Sequence, residues 1–475
     1  MDAQHHQIRV LMFPWLAHGH IFPFFELAKK LSQRNFSIYL CSTPINLSFI
    51  KEKPIHDQSL TSSIQFVELN LPPLPNLPPQ NHTTKSLPPH LMPTLTTALD
   101  MAQPSFTKIL TTLKPHLLIY DFIQPWAPEI ASLHNITAVH FLTMGAFASS
   151  YFYHRCKKSL SDLEYPSPNM YLEEYEDQKL TQMIESFSNN ILNKDRLALS
   201  IDRSETFVLI KTSRDVEEKY INHLSFIFGK EILPTGPLVN EEVIPSYTHD
   251  DHSHGNLSDE AILEWLSKKD KSSTVFVSFG SEYYMSKEEI EETAYGLALS
   301  EVNFIWVIRF PDHHIKRVND FVSEVLPQGF LERVGERGLV VENWAPQIEI
   351  LKHSSIGGFV SHCGWSSVME AMKFGVPIIA MPMHIDQPMN ARLVVELGVG
   401  LEAKRVKGQT GDGEEGRIAR EEVAKVIREV IVEKEGEKVR RLMKEMSEKM
   451  REQREEEIGV LVEKLLLHVS YREFS

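Results

Sequence analysis

Cysteine is nearly absent. Cys41, Cys156 and Cys363 are the only three among 475 residues, and their odd number and wide spacing exclude both a disulfide framework and a zinc-ligand pattern. Such usage fits a reducing compartment. Long uncharged runs are missing too: no window of about twenty residues is free of charge and helix breakers, so no membrane-spanning helix is expected. The first apolar run is broken by His18, His20 and Glu26 before any small-residue cleavage site, which argues against a signal peptide. An excess of positive charge is also lacking. The formal net charge of −15 disfavours non-specific binding to nucleic acid or an anionic membrane, while leaving room for a local anion pocket. No internal repeat or low-complexity tract stands out. The expectation is a cytosolic chain.

What is present is ordinary globular material, 42% hydrophobic and 24% charged, long enough for two domains with separate cores. Strand-length apolar runs at Ile8–Phe13, Phe36–Ser42, Ile64–Leu69, His116–Tyr120, Thr137–Leu142 and Phe207–Thr212 are mostly separated by helical patterns. A second series follows at Thr274–Phe279, Phe304–Arg309, Leu339–Glu342, Gly357–Ser361 and Val376–Met381. Alternation of β and α reads as parallel sheets. Eight prolines between Pro72 and Pro93 mark a loop, because neither a helix nor a central strand tolerates that density. The stretch from Ala146 to Ser200 is helix-rich and polar in patches. Asn240–Ser258 is polar and reads as the linker between domains; its His249, Asp250, Asp251, His252 and His254 lack the rigid spacing of a metal site. Gly411, Gly413 and Gly416 match a dinucleotide fingerprint in letters only, since no strand precedes them.

In open parallel sheets ligands bind beyond the carboxyl ends of strands. Two candidates lie at such ends in the first half. Pro14–His20 links the first strand to a helical pattern, placing His20 near a helix N-terminus with His18 as its competitor. Asp121 closes the run H-L-L-I-Y-D and reads, on its own, as either a cap or a partner for His20. In the second half, Phe279-Gly280-Ser281 ends a strand with small residues that let a phosphate approach. The densest stretch is Trp344–Gln387. Within it a strand runs into the turn His362-Cys363-Gly364-Trp365-Ser366-Ser367, which opens a helix and so aims N–H groups and a helix dipole at an anion. Glu370 follows one turn after Ser366, and His384, Asp386 and Gln387 lie past the next strand.

Those 44 residues, Trp344 to Gln387, closely resemble the signature box of plant family-1 UDP-dependent glycosyltransferases, and the resemblance extends over essentially the whole chain. It implies an α/β architecture of the GT-B type: two facing Rossmann-like domains with parallel sheets and an interdomain cleft. The first domain would span 1–240 and bind the acceptor, 241–258 would link, 259–455 would bind the UDP-sugar, and 456–475 would be a helix packing back on the first domain. The resemblance makes His20 the catalytic base and Asp121 its acidic partner. For the donor it implies contacts from Ser281, Trp344, Ala345, Gln347, His362, Gly364, Trp365, Ser366, Ser367, Glu370, Asp386 and Gln387, with Trp344 stacked on uracil, Gln347 and Glu370 at the ribose, and Asp386 and Gln387 at the sugar. Gln387 matches the glucose-using members, so UDP-glucose is the expected donor substrate, with no cofactor and no metal. Acceptor-side candidates are Trp15, Phe122, Trp126, Met144, Tyr283 and His384.

The segments around Thr83–His90, Tyr120–Pro128 and Phe279–Tyr283 resemble the branch of the family that extends sugars already attached to a small molecule. A glycoside such as a triterpenoid, flavonoid or lignan glucoside is therefore the expected acceptor, with direct transfer to an aglycone as the alternative. A monomer is expected. Two readings from other classes are a silent nucleotide-sugar-binding protein, which would have no reason to keep both His20 and Asp121, and a nicotinamide-dependent oxidoreductase, which lacks its fingerprint. One position departs from the family pattern: Ser366 stands where members usually carry Asn.

Overall fold

A computed structural model of the protein describes residues 7–51, 63–160, 163–240, 257–310, 325–406, 416–452 and 456–473. The linker histidines and aspartates, and Gly411 and Gly413, lie outside these residues. The described chain divides by contacts into two units, one of Met1–Pro166, Leu180–Leu238 and Gln453–Ser475, the other of Ser167–Lys179 and Val239–Glu452. The C-terminal helix thus groups with the first unit. Ser167–Lys179, inside the range expected for the first domain, groups with the second.

The six apolar runs of the first unit form strands, most of them buried on both faces, and a short seventh strand joins them at the sheet edge. They are β1 (Ile8–Phe13), β2 (Phe36–Ser42), β3 (Ile64–Glu68), β4 (Leu117–Tyr120), β5 (Thr137–Leu142), β6 (Phe207–Ile210) and β7 (Glu231–Pro234). All pair in parallel, in the order β3-β2-β1-β4-β5-β6-β7. Alternate side chains of one strand serve opposite faces. Val10, Met12, Leu117 and Ile119 pack with Phe24 and Leu27 of helix α1 (His18–Ser32) and with Ile458, Leu461 and Leu465 of the C-terminal helix Glu456–Glu473. Leu11, Phe13, Leu118 and Tyr120 face the other way, against Leu95, Phe106 and Trp126. This two-sided burial is why the strands read as unbroken apolar runs.

Three further helices matter below: α2 (Ala146–Cys156), α3 (Asn193–Asp202) and α4 (Arg214–Phe228). The second unit has a six-stranded parallel sheet of β8 (Thr274–Ser278), β9 (Asn303–Ile308), β10 (Gly338–Glu342), β11 (Ile356–Ser361), β12 (Ile378–Ala380) and β13 (Gly400–Glu402), ordered β10-β9-β8-β11-β12-β13. It carries α5 (Trp365–Phe374) and α6 (Gln387–Glu396). Both units are doubly wound α/β structures with their own cores. Among the described residues no helix is long and apolar enough to cross a membrane.

The C-terminal helix is part of the first unit's core as well as its surface. Its Glu457 accepts a hydrogen bond from the Arg214 backbone N–H at 2.7 Å, and Lys464 pairs with Glu231 at 2.9 Å. Leu461, fully buried, is the part that carries stability. Leu461→Ala should cost about 2–5 kcal/mol through lost transfer energy and the cavity left behind, read as a lower denaturant midpoint for the first unit, whereas Lys464→Ala on the exposed pair should cost under about 1 kcal/mol.

Candidate active site

A doubly wound sheet has one place where the strand order reverses and adjacent loops part, leaving a crevice at the carboxyl ends. In the first unit it lies between β1 and β4. The loops leaving these two strands carry His20 and Asp121. Helix α1 opens at His18 with Ala17 as an N-cap that offers no side chain to the first turn. His20 therefore sits in that first turn, with its N–H bonded to the Ala17 carbonyl at 3.0 Å. Its ring Nδ1 is 2.8 Å from Asp121 Oδ2 and 2.9 Å from Thr143 Oγ1. Asp121 is 1% exposed and its carboxylate is fully engaged: Oδ2 also accepts from Trp15 N at 2.9 Å, and Oδ1 from Phe122 N at 2.8 Å. An acceptor fixed by two backbone N–H groups cannot rotate away from the imidazole. His18 does not compete for it, because its ring packs edge-on against Phe22 and Phe49.

Thr143 reaches His20 from the loop between β5 and α2, and that loop is held from an unexpected direction. Glu217, buried in α4 at a non-helical backbone position, accepts from the N–H groups of Ala146 and Phe147, both at 2.7 Å. It thereby caps α2 in place of Gly145, which has no side chain to do so. Of the acceptor-side candidates in this unit, Phe122 packs its ring on His20 at 5.2 Å and Met144 is half-buried beside Thr143. Trp15 and Trp126 are core residues, each 6% exposed, and the Trp126 indole donates to Asp100 Oδ1 at 2.9 Å.

The reversal in the second unit lies between β8 and β11. The loops there are Phe279-Gly280-Ser281 and His362-Cys363-Gly364, the latter opening α5. His362 occupies a slot that only glycines leave open. A Cβ on Gly280 would come within 2.6 Å of the His362 ring, one on Gly364 within 2.5 Å, and Gly280 has φ of +77°. The ring Nδ1 is buried with no partner in the protein. Burial pushes the His362 pKa down to about 3, with His384 nearby adding to the effect. A neutral imidazole with an unsatisfied buried nitrogen stands at the start of a helix whose first N–H groups have no side-chain cap. Together these suit an anion.

Around that helix start the structure gathers several of the expected donor residues. Gln347 Nε2 donates to Glu370 Oε2 at 2.5 Å and to Ser367 Oγ at 3.2 Å, while Trp344 is 51% exposed on the turn before Ala345. Ser366 is half-buried in the first turn and Trp365 is buried. Asp386 Oδ2 accepts from Asn390 Nδ2, which also donates to the Cys363 carbonyl, both at 2.9 Å. Asn390 was not foreseen, although its i,i+4 spacing from Asp386 on one helix is a readable signal. It ties the turn before α5 to the start of α6. Gln387, which the resemblance puts at the sugar, is engaged within its own turn. Its Oε1 accepts from Met383 N and His384 N, both at 3.0 Å, and its Nε2 lies 3.1 Å from His384 Nδ1. Tyr283 and His384 come together, ring to ring at 5.7 Å, with the Tyr283 hydroxyl donating to Glu289. Among the described residues no group of three or more His, Cys, Asp or Glu converges as a metal centre would.

Two doubly wound units, one with a His–Asp pair and the other with an anion-suited helix start at their reversal points, define the GT-B class of glycosyltransferase. The chain belongs to the UDP-dependent glycosyltransferase family 1 of plants. Residues 249–444 match the family model UDP-glucoronosyl and UDP-glucosyl transferase, and residues 6–240 match Glycosyltransferase, N-terminal domain. The chain is 50% identical to Mogroside IIIx synthase of Siraitia grosvenorii over 97% of its own length and 98% of the relative's. It is 47% identical to Beta-D-glucosyl crocetin beta-1,6-glucosyltransferase of Gardenia jasminoides, covering 96% and 97%. With Flavanone 7-O-glucoside 2''-O-beta-L-rhamnosyltransferase of Citrus maxima it shares 46%, covering 98% of each. Glycyrrhiza uralensis UGT73P12, solved with glycyrrhetinic acid 3-O-monoglucuronide, superposes with a TM-score of 0.80 at 22% identity over 99% and 97% of the two chains, a likeness of fold.

The depressed pKa gives a direct check on the His362 environment. In histidine-labelled protein the His362 ring signals should stay those of neutral imidazole from pH 8 down to pH 5, because its folded value lies near 3. Titration at an ordinary histidine pH of about 6.5 would show that the ring is solvated and the slot open.

Proposed function

We propose that the protein transfers glucose from UDP-glucose to a hydroxyl of a small-molecule glycoside, with inversion at the anomeric carbon and without a metal. The observation that carries this is the His20 Nδ1 to Asp121 Oδ2 contact of 2.8 Å, with the carboxylate itself fixed by Trp15 N and Phe122 N. A carboxylate on Nδ1 selects the tautomer protonated there, which puts the ring's lone pair on Nε2. Nε2 removes the proton of the acceptor hydroxyl as its oxygen forms a bond to the anomeric carbon. The bond from that carbon to the diphosphate breaks, and UDP leaves with the electron pair. Asp121 stabilises the imidazolium that forms.

The departing charge would be met by the N–H groups at the start of α5, by Ser281, Ser366 and Ser367, and by His362, all preorganised donors. Trp344 would stack on uracil, and Gln347 with Glu370 would hold the ribose. Asp386 and Trp365 would border the sugar. Gln387 would reach it only by giving up its bonds to the 383–384 amides. The glycoside acceptor is supported by two relatives whose names specify glucosides as substrates. Glucose as donor rests on Gln387 and on the glucosyltransferase among those relatives, against a rhamnosyltransferase of similar identity. Transfer to an aglycone is the second reading.

His20→Ala should lower kcat about 10²- to 10⁴-fold while UDP binding measured by calorimetry is kept, since base and donor residues belong to different units. Near-parental turnover would sink the mechanism, and a loss of activity in EDTA restored by Mg²⁺ would sink its metal-free form. Competition among UDP-glucose, UDP-rhamnose and UDP-glucuronate on matched glucoside and aglycone pairs decides donor and acceptor.

Ser366 supplies a separate check. A hydrogen bond to a charged group is worth about 1.5–3 kcal/mol, so Ser366→Asn, which restores the usual longer side chain, should lower the KM for UDP-glucose about 10-fold with acceptor KM unchanged. Equal donor KM values in the serine, asparagine and alanine forms would show that this position does not touch the phosphates.

A further inference from the structure

The segment Tyr120–Pro125, which carries Asp121, is bonded along its length by a single helix. Ser200 Oγ donates to the Phe122 carbonyl at 2.7 Å, Arg196 Nη1 to the Ile123 carbonyl at 3.3 Å, and Arg203 Nη1 to the Pro125 carbonyl at 2.7 Å. From the other side the Tyr120 hydroxyl donates to the Ser200 carbonyl at 2.5 Å. Ser200 and Arg196 lie on α3, Arg203 is its C-cap, and Ser200 and Arg196 are both wholly buried. Neither the apolar pattern nor the signature residues account for three polar side chains, spaced at helical intervals, all serving carbonyls of one loop.

We infer that α3 is the positioning element of the His20–Asp121 pair, with Ser200 as the residue that acts most directly; this rests on the proposed role of His20 as base. The path is short. Ser200 fixes the Phe122 carbonyl and so steadies the Phe122 backbone, whose N–H in the preceding peptide donates to Asp121 Oδ1 and sets the carboxylate's rotation, while the Phe122 ring packs on His20. Loss of one bond therefore loosens both partners of the pair at once. Arg196 anchors α3 itself: its guanidinium makes a two-pronged pair with Asp100 and donates to the Ser188 carbonyl, and Asp100 is further held by Trp126 and Asn189. The helix cannot shift without breaking a buried ion pair, which is strongly disfavoured.

The test is Ser200→Ala in the full-length enzyme. Alanine is the better helix former and adds no volume, so the fold is kept, as an unchanged melting temperature to within about 2 °C would verify on the usual scaling of melting temperature with stability. Turnover should fall about 5- to 10-fold, the scale of one net hydrogen bond, with donor KM unchanged. The acidic limb of kcat/KM should move to lower pH, because a freer carboxylate stabilises the imidazolium less. His140, the other titratable ring beside Asp121, is pushed down to about 4 by burial and does not contribute to that limb. Ser300→Ala is the control: its hydroxyl, equally buried but in the second unit, donates to the Leu297 carbonyl and accepts from Val302 N, and its loss should leave the limb in place. Asp121→Asn separates the two levels. If it keeps parental turnover, the base reading itself falls. If it is severely impaired while Ser200→Ala matches the parent in kcat and pH limb, the positioning role of α3 is overturned and the base reading stands.

Discussion

A parallel sheet with helices on both faces has no polar surface of its own, and this constraint arranges everything else in the molecule. Alternate side chains of β1 and β4 enter two different cores, so the sheet itself can present reacting groups only where its strands end. Most strand ends are covered by the next crossover. At the reversal between β1 and β4, and again between β8 and β11, successive crossovers leave in opposite directions and the loops separate. The first gap holds His20 and Asp121, the second His362 and the start of α5. Chemistry is thus assigned to these loops by topology before any residue is considered.

Three histidines show how much the surroundings then decide. His140 and His362 are kept neutral by burial, at about 4 and about 3, because a charged imidazole taken out of water is costly without a partner. His20 has a partner, a carboxylate at 2.8 Å, and is partly exposed. The same side chain is therefore held neutral in two places and, under the proposed mechanism, carries the proton in the third. At His362 the neutral ring lies in a slot left open by glycine, where a Cβ at Gly280 would stand 2.6 Å away.

The sequence was legible wherever the signal is local. Strands buried on both faces read as apolar runs, and β1, β2 and β5 begin and end where those runs do. β7 and β13 were missed because Glu231–Pro234 and Gly400–Glu402 are too short and too mixed to show a period. His20, Asp121 and the α5 turn were recognisable through the family resemblance, and the register of β1 on β4 is what brings the first two together. Thr143, Glu217 and α3 were not recognisable. Each acts through a bond spanning 70 to 123 residues, and no spacing rule reaches that far. Gln387 illustrates the converse limit: its identity is visible in the sequence, but the occupation of its amide by the 383–384 turn is a property of backbone geometry.

The same reasoning explains why polar residues are so deeply buried away from the reacting groups. Arg196 with Asp100 in one unit, and Arg392 between Glu176 and Glu402 in the other, are ion clusters with side chains at most 8% exposed. Desolvation offsets most of the Coulombic gain in such clusters, so they add little net stability, yet losing one member strands the others. Their value lies in geometry. Arg196 fixes the helix that grips the Asp121 loop, and Arg392 fixes α6, which begins at Gln387, to the segment Ser167–Lys179 that groups with the second unit. Apolar packing of similar volume would hold these elements together but would let them slide or rotate by fractions of an ångström. The two-pronged Arg196–Asp100 pair admits one register, and Arg392 is held by two carboxylates, one on each terminal nitrogen. Each cluster stands one helix away from a site loop, where such a displacement would matter most.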